Sequence, residues 1–307
     1  IRKKRIRCVG NPRERFSEDA LRLMRAVRFS AQLGYEIEEE TAEAIRELSP
    51  NLTHISAERI QTELIKLIIS PHPENLRIAY ELGITGVVLP EFDACMKTQQ
   101  RNLHHCYSVG EHIIKSMQEI RPDKVMRLAM LFHDIGKPQT ISQDDSGIHH
   151  FYGHPSVSEK MTKEILRRLK FDNYTIYMVS NLVKFHDYEV EPGAKYVRRA
   201  IMKTGEDIFP LLFKVKEADI KAQSKKKKKK KKKKLKEIHE IYDEILACNQ
   251  CVSLKGLAVT GRDLIEDAGM KPGKELGEML KKLLNVVIEE PAKNEKEILI
   301  KLAREFK

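Results

Sequence analysis

At 307 residues, with 41% hydrophobic and 33% charged side chains, the chain can bury more than one core, yet no apolar run reaches the roughly 18–20 residues of a bilayer span, which excludes a helical membrane anchor in this sequence. The net charge of +11 would point to a nucleic-acid partner, but ten uninterrupted lysines, Lys225–Lys234, supply nearly all of it, and without them the charge is +1. Five scattered cysteines and a basic N-terminus with no apolar segment behind it exclude a disulfide framework and a secretory signal, leaving the cytoplasm as the expected compartment.

Helical periodicity dominates, so the expected fold class is all-α. The first helix is predicted to follow the turn GNPRERF, with Ser17 as N-cap and Glu18 and Asp19 in its first turn, and to stop at Gly34. EEETAEAIRELS, SAERIQTELIKLIIS and NLRIAYELGITGVVLPEF complete a helical module over 1–100. A second module over 101–220 carries helices near 105–120, 123–136, 154–170 and 174–187, with QDDSGIHHFYGHP as a polar loop between two of them. The lysine run within 221–234 reads as a solvated linker, because like charges repel and cannot build a core, or as a stretch standing in for residues not identified. Capped amphipathic helices over 235–307 form a third module.

Chemistry concentrates in the second module, where eight of the eleven histidines fall between positions 104 and 186. His133 and Asp134 end the apolar run VMRLAMLFHDIGK, a buried helix with little reason to carry two polar groups side by side unless they do something. His105 in HHCYSVGEH and Asp187 in LVKFHDYEV complete a set of two imidazoles and two carboxylates suited to a borderline or hard divalent cation. Lys137, one turn beyond the pair, is placed to neutralise developing phosphate charge, or simply to sit as a cation near a helix C-terminus. His154, at a helix start in GHPSVSEK, is an accessory ligand, an acid, or a loop histidine; His150 is a weaker candidate. His112 shares a helix face with His105 and is expected to pack or to orient a ligand.

A histidine early in one helix, a His-Asp pair ending the next and a distant aspartate resemble the HD phosphohydrolase superfamily. That resemblance implies a helical domain in which His105, His133, Asp134 and Asp187 hold one or two divalent ions (manganese, nickel, iron or magnesium), with Lys137 and His154 assisting hydrolysis of phosphate esters.

The other informative segment is SEDALRLMRAVRFSAQLGY, where Arg22, Arg25 and Arg28 recur every three residues behind Asp19 and wind slowly along one side of a helix. Leu23, Met24, Val27, Ser30, Ala31 and Leu33 are left to face a core. Acids in a first turn followed by bases suit the helix dipole, so the pattern has an ordinary explanation. An aspartate beside an arginine also offers an acceptor and a donor to a base edge, and further arginines take phosphates bidentately. The segment Glu18-Asp19-Ala20-Leu21-Arg22, followed by RAVRF, resembles the neck helix of class II tRNA nucleotidyltransferases, the CCA-adding enzymes and bacterial poly(A) polymerases. The resemblance implies that Asp19 and Arg22 read the base of CTP or ATP, that Arg25 and Arg28 contact the nucleotide, and that tRNA is the macromolecular partner. It also admits a homodimer and implies magnesium for nucleotidyl transfer. The order neck, RNA-binding body, inserted HD domain and tRNA-gripping tail runs through nearly the whole chain.

That family places two metal-binding carboxylates on a small sheet ahead of the neck, whereas this sequence starts at the neck and contains no Asp-x-Asp. The expected function is therefore the nucleotide-selecting and tRNA-binding region of a nucleotidyltransferase with an HD phosphohydrolase site and without the polymerising head. Two alternatives stay open: a stand-alone HD phosphohydrolase acting on nucleotides or cyclic phosphates, and a non-catalytic RNA-binding module. The Cys248-x-x-Cys251 pair has no second pair to complete a zinc site and is read as incidental.

Overall fold

The computed structural model describes residues 3–100, 107–223 and 228–307. It is 69% helix and 3% strand, which makes the protein all-α as the periodicity predicts. The chain forms two compact units, residues 1–188 with 214–229, and residues 189–213 with 230–307. The expected modules over 1–100 and 101–220 fall mostly in the first unit and the third falls in the second. Among the described residues no helix is long and apolar enough to cross a membrane.

In chain order the helices are α1 (Pro12–Glu18), α2 (Leu21–Leu33), α3 (Glu39–Leu48), α4 (Ala57–Ile68), α5 (Leu76–Glu81), α6 (Ile84–Val88), α7 (Pro90–Lys97), α8 (Val109–Gln118), α9 (Lys124–Phe132), α10 (Lys137–Thr140), α11 (His154–Arg168) and α12 (Asn173–Phe185). Beyond them lie α13 (Ala194–Thr204), α14 (Phe209–Ala222), α15 (Lys228–Ala247), α16 (Gly261–Glu266), α17 (Lys274–Glu289) and α18 (Lys296–Glu305). The strands are two-residue pieces. β1 (Arg5–Ile6) pairs in parallel with β2 (Glu36–Ile37), and β3 (Ser142–Gln143) pairs antiparallel with β4 (His149–His150).

The first helix differs from expectation at its start. Asn11 caps α1 by accepting from the Arg13 amide, which places Ser17 inside a helix rather than at its cap. The break comes at Asp19, which is extended (φ −152°, ψ 101°), and its Oδ1 takes the Leu21 amide at 3.1 Å to open α2. A side chain able to satisfy an orphan amide terminates one helix and starts the next. α2 ends as predicted at Gly34, whose φ of +65° is left-handed and whose amide donates to Ser30 O. Leu23, Val27 and Ala31 of α2 are buried, as are Leu64 and Ile68 of α4, against which α2 packs. Leu33, expected in the core, is exposed.

The second unit is built on a core of Leu264, Leu283, Val287, Leu299 and Ala303. A capping box between Thr260 and Asp263 starts α16. The described part of the lysine run is helical instead of an unstructured linker: Lys228–Lys234 form the start of α15. Lysine is a good helix former, and the run is continuous with the amphipathic LKEIHEIYDEIL.

Candidate metal centre

α9 is buried on nearly every side. Asp123 caps it by accepting from the Met126 amide, and Met126 and Leu128 through Phe132 are all enclosed. A helix so enclosed belongs inside a unit, so the residues just past its last turn emerge in the interior. Those residues are His133 and Asp134, each 1% exposed. Four further elements of the same unit bring side chains to this point: α8 supplies His112, the first turn of α11 supplies His154, the C-cap of α12 supplies His186, and α14 supplies Asp219.

Asp134 is the hub. Its Oδ1 lies 3.3 Å from His154 Nε2 and 3.6 Å from His186 Nε2, and its Oδ2 lies 3.3 Å from His133 Nε2 and 3.7 Å from His112 Nε2. Two triads of potential ligand atoms share it, His112–His133–Asp134 and Asp134–His154–His186. Asp219 Oδ1 adds a second carboxylate, 2.8 Å from His112 Nε2 and 3.9 Å from His133 Nε2. Lys137 Nζ, buried, pairs with Asp134 Oδ2 at 2.7 Å and donates to Gln100 Oε1 at 3.1 Å.

Three of the histidines are held by one device. His133 Nδ1 meets Met130 O at 2.8 Å, His154 Nδ1 meets Phe151 O at 2.8 Å, and His186 Nδ1 meets Val183 O at 2.6 Å. A carbonyl oxygen only accepts, so each Nδ1 carries the hydrogen and each ring, when neutral, presents its Nε2 lone pair to the cluster. The carbonyl is the one three residues back in every case, which suits a histidine at a helix end or first turn. Fixing the tautomer through the remote ring nitrogen is how metal-binding histidines are oriented. The consequence is electrostatic. Nε2 atoms of His154 and His186 face one another at 3.2 Å beside a carboxylate, and His133 Nε2 has no hydrogen-bond partner among the described residues. Buried acceptors converging in this way call for a positive charge between them, and imidazole nitrogens with carboxylate oxygens suit zinc, manganese, iron or nickel.

Proton affinities obey the same logic. Burial lowers His112 and His186 despite the nearby carboxylates, keeping both rings neutral. Burial alone would lower His133 too, but Asp134 and Asp219 together outweigh it and raise its pKa. For Asp134, burial opposes ionisation, yet His133, Lys137 and His154 prevail and hold the carboxyl well below its usual range. Asp219 is likewise held down, with burial overcome by the His112 contact.

Among the residues expected to bind metal, His133 and Asp134 are at the centre, and His105 lies outside the described residues. Asp187 is exposed and belongs to neither triad; the residue beside it, His186, is the buried one. His186 still has helical backbone angles, so one further residue turns the side chain by about 100° and aims Asp187 outward. Both auxiliary candidates, Lys137 and His154, join the cluster. His112, expected to pack or to orient a ligand, is a member of it, and Asp219 was not singled out from the sequence. The signal for Asp219 was present in KEADIKA, where a carboxylate sits between the buried Ala218 and Ile220.

On the arginine-striped helix the four residues part company. Asp19 Oδ2 accepts from Arg59 Nη2 of α4 at 2.8 Å, which with Leu21 N occupies both oxygens; burial opposes its ionisation, but these hydrogen bonds lower its pKa. Arg22 Nη1 is shared between Glu18 Oε2 and Arg15 O, both at 2.6 Å. Arg25 is exposed. Arg28 turns inward, 8% exposed, donating from Nε to Glu63 Oε2 and from Nη1 to Gln32 Oε1. A three-residue step loses 60° per repeat, enough to carry the end of the stripe from solvent to core.

Residues 139–303 match the family of tRNA nucleotidyltransferase domain 2, and residues 34–96 match one described as "Probable RNA and SrmB- binding site of polymerase A". The chain is 28% identical over 280 residues to an A-adding tRNA nucleotidyltransferase of Deinococcus radiodurans, covering 86% of this chain and 63% of that protein. It is 29% identical over 288 residues to a CC-adding tRNA nucleotidyltransferase of Thermus thermophilus, covering 90% and 64% respectively. The Bacillus stearothermophilus CCA-adding enzyme, solved in complex with CTP, superposes with a TM-score of 0.69 at 22% identity over 99% of this chain and 66% of that one, a likeness of fold. The chain thus spans somewhat under two thirds of the length of these two curated relatives.

Proposed function

The chain belongs to the tRNA nucleotidyltransferase family through that family's second domain, and from this premise we propose that it is the nucleotide-selecting and tRNA-binding region of such an enzyme, carrying a divalent-metal phosphohydrolase centre of the HD type. The relatives' names include A-adding and CC-adding enzymes, which supports tRNA as partner and ATP and CTP as nucleotides. In this reading Asp19 and Arg22 select the base and Arg25 meets the phosphates, while Arg28 braces the helix through Glu63. Magnesium serves nucleotidyl transfer, and the protein works in the cytoplasm.

The observation that carries the phosphohydrolase part is the convergence of three Nε2 lone pairs and two carboxylates in the interior of one unit. His112, His133, Asp134, His154, His186 and Asp219 would hold one or two dications, with Asp134 common to both. When bound, such an ion lowers the pKa of coordinated water and polarises a phosphoryl oxygen. Lys137 holds Asp134 in place and supplies a fixed positive charge toward which a phosphate is drawn. The carbonyls of Met130, Phe151 and Val183 keep the rings from rotating, so no reorientation is needed as substrate arrives.

The test is hydrolysis of 2′,3′-cyclic nucleotides and p-nitrophenyl phosphate with manganese, nickel or magnesium. Activity is expected to disappear with chelator and in H133A/D134A, and a retained rate in that double variant sinks the assignment. For the nucleotide part, CTP and ATP binding is expected to weaken in D19A and in R22A. A second reading, that α2 is only scaffold and the chain acts as a phosphohydrolase alone, is favoured by the intramolecular partners that Asp19 and Arg22 already have. Unchanged nucleotide binding in both variants would establish it.

A further inference from the structure

β3 and β4 lead the chain into His154, and the short hairpin they form is more ordered than a polar loop needs to be. Asp144 fastens it: Oδ1 accepts from the amides of Ser146 and Ile148, both at 3.0 Å, and from Ser146 Oγ, while Oδ2 pairs with His150 Nε2 at 2.7 Å. The other nitrogen of His150 lies 3.3 Å from the Tyr152 hydroxyl. The two rings are consequently parallel, 5° between planes with centroids 5.3 Å apart. Yet Tyr152 is 77% exposed, the most exposed tyrosine among the described residues. An aromatic ring whose orientation is fixed by a chain of hydrogen bonds, and whose area is left in water, is preorganised for something flat.

Its location says what. Tyr152 is two residues from His154, a separation of at most about 7 Å along the chain. Tyr152 follows directly on Phe151, whose carbonyl holds His154 Nδ1 and whose ring lies under Lys137 Nζ at 5.4 Å. A molecule with a phosphate drawn to Lys137 and the metal ligands, and a planar ring joined to it, would meet both features at once. We propose that the His150–Tyr152 pair is a nucleobase-stacking subsite of the phosphohydrolase centre, selecting nucleotides over phosphate esters that lack a base. The proposal rests on the reading of that centre as a phosphohydrolase. Stacking on an exposed aromatic tolerates any base, so the subsite discriminates base from no base and not one base from another.

The absence of tryptophan from the sequence gives a test that is independent of hydrolysis. In Y152W the introduced indole is the sole tryptophan emitter. Its fluorescence is expected to be quenched saturably by adenosine 5′-monophosphate and not by ribose 5-phosphate, which carries a hydroxyl in place of the base. In parallel, Y152A is expected to raise KM for 2′,3′-cyclic AMP by about tenfold with kcat unchanged and to leave hydrolysis of glycerol 2-phosphate unaltered, while Y152F, which keeps the ring, behaves as wild type with both substrates. Equal quenching by the two sugar phosphates, or none, overturns the subsite even if the protein hydrolyses phosphate esters well. Base-dependent quenching in a protein that hydrolyses nothing upholds the subsite as a binding feature and removes the phosphohydrolase reading on which its purpose rests.

Discussion

His154 Nε2 and His186 Nε2 face each other at 3.2 Å across the Oδ1 edge of Asp134, each ring locked by a carbonyl three residues behind it. The arrangement makes His186 the candidate ligand in place of its neighbour Asp187, which the sequence pattern named. In manganese titrations of the full chain, H186A is expected to lower affinity at the Asp134–His154–His186 triad by at least about tenfold, while D187A titrates as wild type. The reverse ranking would return the role to Asp187.

Arg28 illustrates the opposite outcome, a residue with a functional look that the fold consumes. Its guanidinium and the Glu63 carboxylate are both nearly enclosed, at 10% and 7% side-chain exposure. Removing one partner strands a charge, so R28M is expected to cost about 3–5 kcal/mol in urea unfolding, whereas R28M/E63M recovers most of the loss because the uncharged pair has no desolvation to offset. CTP binding by the double variant is expected to equal that of wild type. A loss there with stability restored would show Arg28 touching nucleotide.

Asp172 gives a pH prediction away from the site. It caps α12, taking the Thr175 hydroxyl at 2.7 Å and the Thr175 amide at 2.8 Å, and these two bonds pull its pKa down to about 2. A carboxyl depressed in the folded state stabilises above its unfolded pKa, near 3.9, and the contribution fades as pH falls toward 2. D172A is therefore expected to lose about 1 kcal/mol at pH 7 and less at pH 2, where the carboxyl is half protonated, while D172N, still able to cap, loses less at pH 7. A D172A penalty of constant size across that range would rule out the ionised carboxylate as its source.

How much of this could be read in advance depends on the range of the interaction. Periodicity marked the helices, because burial of one face is a local property of spacing, and Gly34 marked a stop because a left-handed residue leaves a local signature. The His133–Asp134 pair stood out since polar groups in a buried helix are improbable without a task. Asp219 did not stand out, being 85 positions beyond Asp134 on a helix whose partners only tertiary structure defines. His186 and Asp187 were separable only by a helix end known to one residue, finer than periodicity resolves. Asp19 presented as a first-turn acid and proved to be the break between two helices, its Oδ1 capping the Leu21 amide while its other oxygen takes Arg59 of α4.

Gly136 shows the fold and the centre depending on one missing side chain. Its φ is an ordinary −86°, so its use is proximity rather than backbone freedom. A Cβ there would lie 2.6 Å from Ser158 N and 2.9 Å from Ser158 Oγ of α11, and the glycine amide itself donates to that hydroxyl at 2.9 Å. The nearest clash is with backbone, which cannot swing aside, so G136A has to push the 133–137 turn away from α11. Overpacking of this kind costs about 1–3 kcal/mol. It also separates His133 and Asp134 on one side from His154 on the other. G136A is expected to remain folded by circular dichroism, to unfold at lower urea, and to lose manganese affinity out of proportion to its modest destabilisation. S158A, which removes the hydroxyl but leaves the contact distance intact, is expected to lower stability without that loss of metal. Equal metal affinity in G136A and wild type would mean that the turn and α11 can shift without carrying their side chains apart.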